Sequence, residues 1–501
     1  MSDQNTETAS ILSTGIAGLD EVLSGGLTRD RLYLVEGAPG SGKTTLALQF
    51  LVEGARLGEK VLYITLSETS VELRAVATAH GWTLENVPIH EVLPSEKVLD
   101  PDEQYTIFHP GDVESGATTR GILEAVNEYR PTRVVLDSLS ELQLLATNSL
   151  IYRRQVLAFK QFFATRSCTA LFLDDNSGKG TEMEVRSIAH GVISLSRMAT
   201  DYGGIRRRLE VIKYRGVAFR EGLHDYKIVT GGLVVFTRLI ASHSRSRTQV
   251  VRESTGIDQL DRLLGGGIEL GSSTLLAGPP GAGKSTVATE IAQSFLASGH
   301  RAAMFIFEES ISNFINRSLG MGIDLEPSIA AGTLQLEQID PAQLTPGEFV
   351  HIVCQAADAG ARVVVVDSLK GFMQAMPNEK MLTTHLHELL SYLSQKGVVT
   401  LLVGVQNGMF GGDMTTSADA SYLADNVVML RYFEANGAVH KAISVFKKRG
   451  GPHENTIRSF NLSSNGVNIG PVLSNFRGIL SGLPQTINPS NSGEMDDELV
   501  S

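Results

Sequence analysis

Apolar residues along this chain gather into short unbroken runs instead of alternating with polar ones. "RLYLVEG" (31–37), "KVLYITL" (60–66), "RVVLDS" (133–138) and "TALFLDD" (169–175) lie in the first half. "STLLAG" (273–278), "AAMFIF" (302–307), "RVVVVDS" (362–368) and "VVTLLVG" (398–404) lie in the second. A run without polar alternation suits a strand covered on both faces, and the stretches between the runs carry helical patterns. Each half therefore reads as an α/β domain, a mostly parallel sheet flanked by helices.

The halves repeat one another. "STGIAGLDEVLSGGL" starts at Ser13 and "STGIDQLDRLLGGGI" at Ser254, an offset of 254 − 13 = 241. The same offset relates "GAPGSGKTT" from Gly37 to "GPPGAGKST" from Gly278, and Glu68 to Glu309. Solenoid repeats recur every ~20 to 50 residues, so this is a duplicated whole domain. Residues 1–240 form the first copy and 254–482 the second. Between them, 241–253 is read as a linker on the polar, basic "ASHSRSRTQV" (241–250), and 483–501 as a disordered acidic tail.

Composition narrows the function classes. Among 501 residues, 42% are hydrophobic and 20% charged, the balance of a soluble globular protein. The polar start "MSDQNTETAS" is unlike a signal peptide and no apolar run approaches the ~20 residues of a membrane span, so a cytoplasmic protein without a membrane partner is expected. Cys168 and Cys354 stand far apart, outside metal or redox motifs, and read as reduced thiols. A net charge of −12 and the lack of a basic module with interleaved aromatics argue against nucleic acid as a partner.

The candidate chemistry begins with GxxxxGK(S/T), met twice after a predicted strand and before a predicted helix. Gly40, Ser41, Gly42, Lys43, Thr44 and Thr45 in the first copy, and Gly281, Ala282, Gly283, Lys284, Ser285 and Thr286 in the second, would cradle ATP phosphates. Glycines let backbone N–H groups close around phosphate, the helix N-terminus adds positive potential, and the lysine reaches the β and γ phosphates. Thr44 and Ser285 would hold Mg2+, with Asp137 and Asp367, acids at strand ends, as second partners. A strand-end Asp also forms turns; its place after a P-loop in both copies favours the ligand.

Glu68 ends one apolar run and Glu308 with Glu309 end its counterpart. If those strands neighbour the P-loop strands, the acids would end beside the γ-phosphate, where a carboxylate can deprotonate an attacking group. The plainer alternative is a charge at a helix start, since "SETS" and "EESIS" can begin helices. A single acid suits activation of water. A coupled pair can keep one carboxylate poised for another nucleophile, a hydroxyl.

The tandem P-loops, "STGI" starts, "FEES" after the second strand of the second copy, "KYRG" and "KKRG" near the domain ends, and "SADASYLADNVVMLRYFEANGAVHKAISVFKKRG" together resemble the KaiC family of clock ATPases and autokinases. The resemblance covers nearly the whole chain. It implies two RecA-like P-loop NTPase domains, a homohexamer with ATP at subunit interfaces, slow hydrolysis in the first domain and phosphorylation of the chain's own hydroxyls in the second. It implies Glu68 as the water-activating acid, with Ser67 replacing its partner, and one of Glu308 and Glu309 as base on the acceptor hydroxyl. Lys213 with Arg215, and Lys447 with Arg449, match pairs that reach a neighbouring subunit's γ-phosphate; without the family they are two charges sharing a strand face. Ser421 fills the first acceptor position and Tyr422 the second, where the family has Thr; a phenol oxygen reaches several Å farther, so Tyr422 is the lesser candidate. Thr416 is a neighbouring hydroxyl that can compete for phosphate. Clock or signalling proteins are the implied partners. Two other functions stand beside this one: a nucleotide-gated scaffold without kinase activity, and a RecA-like ATPase driven by nucleic acid.

Overall fold

A computed structural model describes residues 10–92, 110–146, 148–175, 182–199, 203–239, 251–374, 382–405, 420–479 and 485–486. The linker residues 241–250, nearly all of the acidic tail and Thr416 lie outside the described residues. The chain divides into two compact units, Met1–Arg238 and Leu239–Ser501.

Each unit is built on a nine-stranded sheet. In the first, the order across the sheet is Gly232–Phe236, Leu223–Val229, Arg206–Tyr214, Gly191–Met198, Leu32–Gly37, Thr169–Asp175, Arg133–Asp137, Val61–Thr65 and Ile89–Glu91. The strands from Gly191–Met198 to Ile89–Glu91 pair in parallel, and the remainder form an antiparallel extension. The second unit repeats this arrangement with Ser273–Gly278 in the place of Leu32–Gly37. All eight apolar runs are strands of these sheets, which are mostly parallel and flanked by helices.

Side-chain alternation explains why the runs are apolar throughout. Leu34, Leu62, Ile64, Val134 and Leu136 enter the core on one face of the first sheet. Val35, Tyr63 and Val135 enter the core on the other, with Leu46, Phe50 and Leu51 of the P-loop helix Lys43–Arg56. Burying each such apolar side chain contributes about 1.5–3 kcal/mol, which favours apolar residues on both faces of the run.

One expectation needs correcting. The strand ahead of Glu68 does not neighbour the P-loop strand: Arg133–Asp137 and Thr169–Asp175 lie between them, and the second unit has the same separation. Helical crossovers place sequential parallel strands apart, so adjacency in sequence is no guide to adjacency in the sheet. The neighbour of Glu68's strand is instead the strand of Asp137, with Thr65 opposite Asp137 and Ile306 opposite Asp367.

Candidate active sites

The phosphate loops start where the central strands end. Gly40 and Gly42 have φ of 75° and 99°, and Gly281 and Gly283 have 74° and 108°, conformations that only glycine adopts without strain. A Cβ on Gly42 would stand 2.6 Å from the end of the Ile228 side chain, and one on Gly283 2.8 Å from that of Leu462, so a larger residue would also require those side chains to shift. Ser41, Thr45, Ala282 and Thr286 are buried beneath the loops, while Thr44 and Ser285 are half-buried at the first helical turn. Ser41 Oγ has no hydrogen-bond partner.

The two lysines are held differently. Lys43 Nζ donates to the Gly37 carbonyl at 2.7 Å and pairs with Asp175 at 2.6 Å. Lys284 Nζ donates to the Pro279 carbonyl at 2.8 Å, and Val405 stands where the first unit has Asp175. Burial pushes the Lys284 ammonium down to about 8, against the pull of Asp367 and Glu308. The acidic end of "TALFLDD" was readable as a strand-end carboxylate; its ion pair with Lys43 needs the parallel register of Gly37 with Asp175.

Asp137 and Asp367 end strands within their sites, and burial raises both carboxyls above the ordinary aspartate range. Ser285 lies near Asp367 and opposes that rise. Asp137 instead accepts from the Tyr63 phenol at 2.6 Å. Each pair offers only hydroxyl and carboxylate oxygen beside a loop of phosphate-directed amides, the donor chemistry a magnesium–nucleotide complex takes. The orphaned Ser41 hydroxyl agrees with a polar ligand in the first loop.

The acids after the second strands do begin helices. Thr69 caps Ser70–Ala79 and Ser310 caps Ile311–Gly320, so Glu68 and Glu309 each stand one residue before a cap. In the first unit, Thr65 Oγ1 accepts from the Glu68 amide at 2.9 Å and donates to its carbonyl at 2.8 Å, locking the turn. Glu68 Oε2 is buried with no partner, and its carboxyl is raised by burial and then by Asp137, Glu72 and Asp175, with Lys43 opposing. In the second unit the paired acids part. Glu308 Oε1 accepts from Ser368 Oγ at 2.6 Å and lies near Lys284 and Asp367, whereas Glu309 is bound by Arg317 at 3.0 Å. Neither Ser368 nor Arg317 carried a sequence signal.

The basic pairs and the segment of Ser421 and Tyr422 lie back along the central strands from the phosphate loops. Lys213 is paired with Val192, which is level with Leu34, and Lys447 with Val427, level with Leu275. Leu34 and Leu275 are each three residues short of the glycine where the phosphate loop begins, about 10 Å along the sheet. Lys213 donates to the carbonyls of Arg186 and Ser187, and Arg215 to that of Ser187. Lys447 donates to the carbonyls of Ser421 and Ala424, and Arg449 to that of Tyr422. Ser421 is half-buried and Tyr422 is 51% exposed. The matching bonds set Arg186 and Ser187 in the places of Ser421 and Tyr422, and Arg186 forms an ion pair with Glu36, beside the first phosphate loop.

With this geometry duplicated, the model of the KaiC ATPases matches residues 12–239 and again 253–474. This chain belongs to the KaiC family. It is 29% identical over 492 residues to the circadian clock protein KaiC3 of Synechocystis sp., spanning 97% of this chain and 96% of that one. It is 27% identical over 500 residues to the circadian clock oscillator protein KaiC of Thermostichus vulcanus, covering 98% and 95%, and 27% identical over 491 residues to that of Synechococcus elongatus, covering 97% and 93%. ATP binding and hydrolysis are the chemistry of KaiC-family ATPases, and the tandem P-loop sheets are those of RecA-like domains. Among the described residues, no helix is long and apolar enough to cross a membrane.

Proposed function

We propose that this protein is an ATP hydrolase in its first domain and a serine autokinase in its second, acting as a timing or signalling switch in a homohexamer. The observation that carries the division is the unlike placement of the acids. Glu68 points an unpartnered oxygen into a buried site, while Glu308 is held by Ser368 near Lys284 and Asp367. The raised Glu68 carboxyl is poised to take a proton from water. Glu308 is the base for the Ser421 hydroxyl, and Glu309, occupied by Arg317, orients that turn.

Gly40, Ser41, Gly42, Lys43 and Thr45, and Gly281, Ala282, Gly283, Lys284 and Thr286, hold the triphosphates. Thr44 with Asp137, and Ser285 with Asp367, would hold Mg2+, which when bound neutralises charge on the β and γ phosphates. Ser421 precedes a strand that joins its sheet with Asn426 beside Thr274, four residues before Gly278. Transfer is read as running between subunits, with Lys447 and Arg449, like Lys213 and Arg215, presented to the neighbour's γ-phosphate. A cation supplied in this way stabilises charge on the transferring group. Tyr422 is not an acceptor for the same carboxylate, because its oxygen stands too far from the backbone. The relatives' names as clock proteins suggest the timing role.

The test is incubation with magnesium and γ-labelled ATP, followed by peptide mapping. Label on Ser421, absent from Ser421→Ala and from Glu308→Gln, supports the autokinase. Mixing Ser421→Ala with Lys284→Ala subunits should restore label on the Lys284→Ala chain if transfer crosses subunits. Hydrolysis without label would make the second domain a nucleotide switch.

A further inference from the structure

Position 63 separates the two metal sites. In the second domain its counterpart in the repeat is Met304, which offers Asp367 no hydroxyl. In the first, the fully buried Tyr63 enters the core face shared with the P-loop helix. Its phenol donates to Asp137 Oδ2 at 2.6 Å and lies near the Thr44 side chain. One phenol thus holds one residue of the pair read above as the magnesium site and neighbours the other. A buried hydroxyl needs a partner, and a core position facing only apolar side chains would be met more cheaply by Phe, so the oxygen belongs to the site and not to packing.

We propose that Tyr63 is a positioning residue for the first domain's metal site. Its hydrogen bond fixes the Asp137 carboxylate by Oδ2, so that Oδ1 would face the cation. Partners behind a metal ligand set its orientation and basicity, and their removal lowers metal affinity by about 10- to 100-fold. The two domains then differ in metal affinity: Asp137 is set in advance by the phenol, whereas Asp367 has Met304 in the corresponding place. This rests on the assignment of Thr44 and Asp137 to the metal.

The experiment uses full-length protein carrying Asp367→Asn, so that the first domain supplies the metal site under study, with Mn2+ as probe. Mn2+ binding is measured by electron paramagnetic resonance at saturating ADP, and ADP affinity is measured separately without metal. Tyr63→Phe is expected to weaken Mn2+ by about tenfold while metal-free ADP affinity stays within twofold, a split that loss of packing would not produce. Tyr63→Met, which copies the second domain's residue, should weaken Mn2+ similarly. Unchanged Mn2+ affinity in both variants, with Asp137→Asn abolishing binding, would overturn the role of Tyr63 and leave the metal pair intact. If Asp137→Asn also leaves Mn2+ affinity unchanged, the metal assignment itself falls.

Discussion

Arg186 and Glu36 close on each other through two hydrogen bonds of 2.5 and 2.8 Å, at the places where the second domain has Ser421 and Ala277. The duplicated fold thus carries an ion pair where its twin carries a hydroxyl. This ties the acceptor-side helix Glu182–Ile188 to the residue before Gly37. It also takes the place that Ser421 holds in the second domain.

Glu36 is 2% exposed, so its charge depends on Arg186. Arg186→Ala should destabilise the first domain by about 3 kcal/mol, the low end for a broken buried pair because the arginine keeps part of its side chain in water. Removing both charges in Glu36→Ala/Arg186→Ala should recover most of that loss. Thermal unfolding of the single and double variants checks the order; a double variant as unstable as the single would show that packing, not the stranded charge, sets the cost.

Hydrolysis by the first domain should depend on Glu68. Glu68→Gln is expected to lower it about 10²- to 10⁴-fold, measured in an Asp367→Asn background. Burial raises the Glu68 carboxyl, so the base is lost to protonation at a higher pH than an ordinary glutamate would be. The rate should therefore fall on the acid side with a limb displaced upward, and that limb should vanish in Glu68→Gln.

The acids of the second domain should prove unequal. Glu308→Gln removes the carboxylate bound to Ser368 and should lower Ser421 labelling about 10²- to 10⁴-fold. Glu309→Gln loosens Arg317 and should cost no more than about tenfold. Quantified label after single turnover decides between them, and the reverse ranking would assign the base to Glu309.

Lys284 should make nucleotide binding to the second domain consume protons. Its ammonium titrates at about 8 without ligand, and phosphate requires the charged form. Binding near pH 8.5–9 should therefore take up a proton, and affinity should weaken by up to about tenfold per pH unit above 8. The same shift costs the empty domain stability below pH 8. That cost is relieved as pH rises towards 10.5, because the unfolded chain holds the proton longer. Calorimetry in buffers of different ionisation enthalpy reads the uptake, which Lys284→Ala should lack.

Much of the molecule was legible before folding because its signals are local. Both phosphate loops are contiguous motifs, each apolar run carries its own double burial, and the repeat offset announces the duplication. Ser421, Tyr422 and the basic pairs were singled out as candidates by comparison of adjacent residues with a family pattern. The partners of the acids were not legible. Tyr63 lies inside an apolar run and looks like core, and Arg317 looks like any helix cation.

What the sequence determined by itself is the two α/β domains, their phosphate loops and the acids available to them, since each depends on residues within a few positions of one another. Tertiary structure alone decided which acid faces which site. Glu68 meets Asp137 because their strands are neighbours, although 69 positions separate them in the chain. Glu308 and Glu309, adjacent in the chain, take different partners because Ser368 and Arg317 approach from different elements. Parallel sheets join strands through long crossovers, and the distances that matter to proton transfer are set across the sheet and not along the chain.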